Sequence, residues 1–129
     1  MAESGLPIDQ LTKEVIGCAY DVHNELGAGF LEKVYENALT IELEEHGLPV
    51  QQQFSINVYF RNRKVGEYSA DLYVDRRLIV ELKAVENLTK EHEVQVVNYL
   101  AATNHDIGLL INFGSSVVVK RKYRQYLKT

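Results

Sequence analysis

Residues 70–83 read Ala70-Asp71-Leu72-Tyr73-Val74-Asp75-Arg76-Arg77-Leu78-Ile79-Val80-Glu81-Leu82-Lys83. Two apolar runs flank a polar turn, the pattern of a hairpin. If the chain turns through Asp75-Arg76-Arg77, Val74 pairs with Leu78 and Asp71 falls opposite Glu81. Side chains alternate along a strand, so Glu81 and Lys83 share one face while Val80 and Leu82 take the other. Charges are rarely buried unless paired or holding a metal, because removing them from water is costly. Asp71, Glu81 and Lys83 therefore form either a wet face with an Asp71/Lys83 ion pair, or a site.

Opposed residues on neighbouring strands hold their Cβ atoms about 4.5–5.5 Å apart. Two carboxylates at that range repel, and one pKa rises unless a cation intervenes. Hard oxygen ligands suit Mg²⁺ or Mn²⁺, and Mg²⁺ commonly takes one or two carboxylates with waters and phosphates completing its shell. Lys83 beside such a cation could hold or deprotonate an attacking water, or neutralise charge on a phosphate.

Outward from the hairpin, Val50, Gln52, Phe54, Ile56, Val58 and Phe60 alternate with mostly polar neighbours, predicting a half-buried strand. Arg61-Asn62-Arg63-Lys64 turns it into the strand that ends at Val74. Upstream, Leu11, Val15, Cys18, Ala19, Val22 and Leu26 recur at helical spacing before Gly27. A second helix is predicted over 30–46, with Leu31, Val34, Tyr35, Ala38, Leu39 and Leu43 inward. Downstream, Thr89 is a candidate N-cap for a helix over 89–103. Ile107-Gly108-Leu109-Leu110-Ile111-Asn112-Phe113 predicts a strand covered on both faces. Val117-Val118-Val119 forms a last strand, and Lys120-Arg121-Lys122-Tyr123-Arg124 reads as a basic tail. The order is ααβββαββ: an α/β (α+β) chain with a mixed central sheet flanked by helices. A crossover through the third helix places the fourth strand parallel to a neighbour.

The composition, 46% apolar and 25% charged over 129 residues, suits one globular domain spanning 1–129. No apolar run reaches the ~18 residues that a membrane span needs, and the polar start Met1-Ala2-Glu3-Ser4-Gly5 lacks a secretory apolar region. With the single Cys18 and no zinc-type Cys/His spacing, a reduced, cytoplasmic protein is expected. Net charge is −4, yet residues 1–53 hold ten acidic against two basic side chains, and residues 54–129 hold eight against twelve. Such asymmetry can conceal a phosphate-facing surface inside an acidic protein.

Asp71 followed, after nine intervening residues, by Glu81-Leu82-Lys83 resembles the PD-(D/E)xK nuclease signature, with Ala70 in place of the proline. Gln95-Val96-Val97-Asn98-Tyr99 resembles the Q-x-x-x-Y helix motif of RecB-type members. Gly29-Phe30-Leu31-Glu32-Lys33-Val34-Tyr35 is similar to the G-x-x-E-x-x-Y motif of a prokaryotic family assigned to that superfamily. The resemblance implies a restriction-endonuclease-like core and a metal-dependent nuclease. It implies Asp71 and Glu81 as ligands of Mg²⁺ or Mn²⁺, Glu32 as an additional acidic ligand and Lys83 as the catalytic lysine. Gln95 and Tyr99, one helical turn apart, would line the site or orient substrate. Nucleic acid, DNA foremost, is then the expected partner, with Arg61, Arg63, Lys64, Arg76, Arg77 and the tail Lys120-Arg121-Lys122 available to follow its backbone.

A second reading keeps the fold without catalysis, as a binding module acting through a partner protein or as a homodimer, its acidic first half facing the partner. Single residues also have plainer roles. Tyr35 reads as core packing, Gly29 as a turn, Glu32 and Glu36 as an exposed helix pair, and Gln95 as a cap for buried backbone. Cys18 reads as buried packing. His23, His46, His92 and His105 look too dispersed to cluster.

Overall fold

The 70–83 hairpin closes in the predicted register: Val74 pairs with Leu78, Tyr73 with Ile79 and Leu72 with Val80. Asp75 and Arg76 take φ of 56° and 57°, the left-handed conformation that reverses the chain in so few residues. The buried Asp75 carboxylate locks this turn. It accepts the Ser4 N–H and the Ser4 hydroxyl, each at 2.6 Å, and the Arg77 Nε–H at 3.0 Å. Arg77 also donates to the Leu6 carbonyl. The arginine expected to follow a phosphate backbone instead straps the segment before the first helix onto the turn.

The computed structural model describes residues 3–124. In chain order the elements are α1 (Ile8–Leu26), α2 (Glu32–Glu45), β1 (Val50–Phe60), β2 (Arg63–Val74), β3 (Leu78–Lys83), α3 (Lys90–Thr103), β4 (Ile107–Phe113) and β5 (Val117–Tyr123). The strands lie in sequence order in one five-stranded sheet. β3 and β4, joined through α3, are parallel, as the crossover predicts, and the other neighbours are antiparallel. This is the ααβββαββ order read from the sequence, a mixed α+β sheet consistent with a restriction-endonuclease-like fold.

Alternation along β3 divides the core. Leu78, Val80 and Leu82 join Leu109, Ile111 and Phe113 under α1 and α2. Ile79 and Leu110 face the other way, against Val96, Tyr99 and Leu100 of α3. α1 buries Leu11, Val15, Cys18, Ala19 and Val22, as its spacing predicts. Burial, then the nearby Glu42, pushes the Cys18 thiol up to about 12, leaving it as inert packing.

Two expectations are corrected. Leu31 and Val34 do not point inward: Leu31 is 80% exposed and Val34 38%. Leu31 is the extended N-cap of α2, and the inward stripe is Tyr35, Glu36, Leu39, Thr40 and Leu43. Residues 120–123 are no tail. They continue β5 along the whole of β4, ending with Tyr123 opposite Ile107. Lys122 and Lys120 turn to Glu93 of α3, at 2.9 and 3.7 Å. Lysines on an edge strand discourage further strand pairing. Among the described residues no helix is long and apolar enough to cross a membrane.

Candidate active site

β2 pairs with β1 over nearly its whole length but with β3 over three residues only. Beyond Leu72 and Val80 the two strands part, and there Asp71 faces Glu81. The carboxylates replace the missing ladder. The Asp71 N–H donates to Glu81 Oε1 at 2.9 Å, and the Leu82 N–H donates to Asp71 Oδ2 at 2.8 Å. The two acids do not simply stand side by side on a sheet face. They turn into the gap between strands, each fixed by the other strand's backbone.

A matching irregularity lies on the β1 side. The register runs from Gln52 opposite Leu72 to Phe54 opposite Ala70, leaving Gln53 and Asp71 facing each other outside the ladder. Gln53 has φ of 52°, a costly backbone for an L-residue. The alternation changes face here: Val50 packs against the α1/α2 core, Phe54 against the α3 core. The Gln53 amide donates to Glu36 Oε1 at 2.9 Å and lies 3.4 Å from Asp71 Oδ1, and its oxygen accepts the Ser69 hydroxyl at 2.9 Å. Glu36 is buried, not an exposed helix partner of Glu32. Lys33 and the Gln52 amide bond its other oxygen, each at 2.8 Å. Gln53 and Glu36 thus tie α2 to the strand that carries Asp71. Sequence reading missed this link, because a glutamine gives no sign that its backbone will be left-handed.

Glu32 enters from the first turn of α2, which Tyr35 anchors. The Tyr35 ring is fully buried and stacks on Phe113, centroids 4.6 Å apart and 4° from parallel. Its hydroxyl donates to the Gly27 carbonyl at 2.6 Å and accepts the Phe30 N–H at 3.3 Å. Gly29 takes φ of 104° within this loop, as a turn glycine should. Tyr35 is therefore core packing, with the added task of closing the loop that sets Glu32 at the site.

The electrostatics follow from this crowding. Burial, then the Asp71 charge, pushes Glu81 up to about 8, with Lys83 opposing. Burial, then Asp71, also raises Glu32, and Lys83 again pulls the other way. Asp71 and Lys83 thus each act on both Glu32 and Glu81. Burial lifts the Tyr99 hydroxyl to about 12, with Glu81 and Asp71 adding to it. Lys83, half-buried, ends β3 opposite Asn112 of β4. The buried Asn112 side chain accepts the Val85 N–H at 3.0 Å and donates to the Val85 carbonyl at 2.9 Å, fixing the chain just past Lys83.

Gln95 and Tyr99 share the face of α3 that borders a groove of about 840 Å³ between that helix and the β1–β2 hairpin. The predicted basic residues lie elsewhere. Arg61, Arg63 and Lys64 occupy the hairpin tip, where Arg61 and Asn62 form a two-residue turn with φ of 49° and 65°. Arg63 precedes Asp71 by eight residues along β2, about 26 Å of strand. Lys64 is paired with Glu67 at 2.7 Å, and Arg61 lies over the Phe60 ring at 4.8 Å. His92 is a helix cap, exchanging bonds with Thr89.

Among the described residues the group of three whose ligand atoms all lie within 4.8 Å of one another is Asp21, Glu42 and His46; Glu32, Asp71 and Glu81 do not gather that closely. His46, expected to stand apart, also meets Glu14 at 2.9 Å. Glu42 lies ten residues, about 15 Å, along α2 from Glu32. None of Asp21, Glu42 and His46 is a sequence-predicted ligand.

A family model described as the PD-(D/E)XK nuclease superfamily matches residues 9–125. The chain belongs to the PD-(D/E)XK nuclease superfamily. PD-(D/E)XK nucleases generally use divalent metals. The crystal structure of SSO0001 is similar at a TM-score of 0.56 and 12% identity, covering 92% of this chain and 61% of that one. At that identity the likeness is one of fold, and this chain spans less than two thirds of SSO0001. No curated protein sequence matches the chain. The donor set fits the metal of the superfamily: Asp71 and Glu81 are hard oxygen donors, each held by a backbone N–H group of the neighbouring strand.

Proposed function

We propose that the protein is a nuclease that hydrolyses DNA phosphodiester bonds with Mg²⁺ or Mn²⁺, the whole chain acting as one nuclease-like unit of the GxxExxY type. The observation that carries this reading is the meeting of Asp71 and Glu81 in the gap between β2 and β3. Asp71 and Glu81 would hold the ion, with Glu32 contributing from α2. When bound, that ion lowers the pKa of a water and offsets charge on the scissile phosphate.

The chain's own residues complete the site. Lys83 acts on Glu32 and Glu81 and would hold the attacking water and balance charge gathering on the phosphate. Gln95 and Tyr99 border the groove beside it and orient the substrate. Arg61, Arg63 and Lys64, far along the hairpin, would grip the nucleic-acid backbone several nucleotides from the cut.

The test is cleavage of end-labelled single- and double-stranded DNA with Mn²⁺, with Mg²⁺, and with chelator, by wild type and Lys83→Ala. Metal-dependent cleavage lost in the variant supports the proposal. Metal-dependent cleavage unchanged in Lys83→Ala would place the chemistry elsewhere.

A further inference from the structure

The groove between α3 and the β1–β2 hairpin has the wrong walls for a duplex. A duplex offers phosphates outward and calls for cationic walls. This groove is lined instead by Val58, Val65, Val94, Tyr68 and the amides of Gln95 and Asn98. Tyr68 is half exposed, and its ring centroid lies 5.8 Å from that of the nearly buried Tyr99. Gly66 also lines the groove, and a Cβ there would make ordinary contact with the Tyr68 ring at 3.4 Å and Val58 at 3.7 Å, so a larger side chain is accommodated at that position.

An unpaired strand presents π-faces and base edges, which aromatic rings and amides recognise, along with phosphates that need cations nearby. Lys90 and Glu91 stand on the groove wall with opposite charges, and the further cations lie at the margin, Arg61 and Arg63, where the same two strands end. The inner end lies toward the acidic centre: Tyr99, on the groove wall, packs in one cluster with Ala70 and Ile79, which neighbour Asp71 and Glu81 along β2 and β3.

We propose that this groove takes an unpaired stretch of nucleic acid, with a base against Tyr68, so that the protein acts on single strands or frayed ends and not on intact duplex. This rests on the nuclease reading above and narrows its substrate. The occupant is one strand, entering past the hairpin tip and reaching the carboxylates with its backbone.

The experiment is fluorescence anisotropy of the full chain, in chelator so that nothing is cut, with a labelled single-stranded oligonucleotide and a blunt duplex of the same sequence. Tyr68→Ala removes the stacking surface and Gly66→Val narrows the groove. Circular dichroism melts confirm that each variant folds, and each is afterwards assayed for cleavage with Mn²⁺. We expect the single strand to bind roughly tenfold or more tighter than the duplex, and Tyr68→Ala to weaken it by roughly five- to a hundredfold, as loss of one stacked base does. Gly66→Val should weaken it as well.

Equal or tighter binding of the duplex, or single-strand binding untouched in a folded Tyr68→Ala, overturns the proposal. If the duplex is also cut with Mn²⁺ in that case, the nuclease reading survives and this one alone fails. If neither form binds or is cut, both fail. Concentration-dependent dimerisation that Gly66→Val abolishes would assign the groove to a second copy and also overturn the proposal.

Discussion

Asp71 and Glu81 are joined through their partner's backbone: the Asp71 N–H meets Glu81 Oε1 at 2.9 Å, and Asp71 Oδ2 takes the N–H of Leu82, next to Glu81, at 2.8 Å. Neither bond involves Lys83, so the acids keep their places without it. Lys83→Ala should therefore leave Mn²⁺ affinity little changed while cutting the cleavage rate by about a hundredfold or more, the usual loss when a group that positions or activates water is removed. Calorimetry and single-turnover cleavage on the same preparation separate the two effects.

Glu81 links stability to pH. Its carboxyl ionises near 4.5 in the unfolded chain and near 8 in the folded one, raised first by burial and then by Asp71. Between those values the folded chain holds a proton that the unfolded chain has released. Stability from this group is complete below pH 4.5 and is lost as pH rises through about 8. Thermal melts in chelator should show wild type losing on the order of 3 kcal/mol between pH 5 and 9 from this group. Glu81→Gln, which keeps the acceptor oxygen and cannot ionise, should flatten the profile. A wild-type profile no steeper than that of Glu81→Gln would refute the assignment.

Tyr35→Phe keeps the stack on Phe113 and deletes the hydroxyl that bonds Gly27 and Phe30. Two backbone groups lose a partner, at a cost of about 1–3 kcal/mol in urea unfolding. Because that loop leads into Glu32, metal affinity should fall as well. Unchanged stability would mean the loop is held by other contacts.

The hairpin register was legible because a three-residue turn between two apolar runs leaves one way to pair them, and Val74 opposite Leu78 follows. The Asp71/Glu81 meeting came from the same arithmetic, and the parallel β4 from the crossover through the third helix. Three features were hidden for physical reasons. Val50 to Phe60 alternates without a break, yet its apolar residues serve two cores, because Gln53 reverses the alternation through a left-handed backbone that its side chain does not announce. The basic run after Val119 reads as solvated, although it pairs as strand along β4 and turns Lys122 onto Glu93. Glu36 looks like one more acid on an acidic helix, and its burial depends on glutamines sixteen and seventeen residues away.

That dependence yields a fourth expectation. Gln53→Ala removes the amide shared between Glu36 and Asp71 while leaving Lys33 and Gln52 on Glu36. Folding stability should drop by about 1–2 kcal/mol, and Mn²⁺ affinity should fall because Asp71 loses its lateral restraint. Chemical denaturation and metal titration of the variant check both. Stability lost with metal affinity intact would confine Gln53 to holding the fold.

The most direct measurement is calorimetric titration of Mn²⁺ into wild type and Asp71→Ala. Asp71 lies at the meeting point of Glu32, Gln53, Glu81 and the Leu82 backbone. The expected result is one site in the wild type, lost in Asp71→Ala while the variant remains folded. Equal binding in both proteins, or none in the wild type even with DNA added, would contradict a metal centre in the gap between β2 and β3.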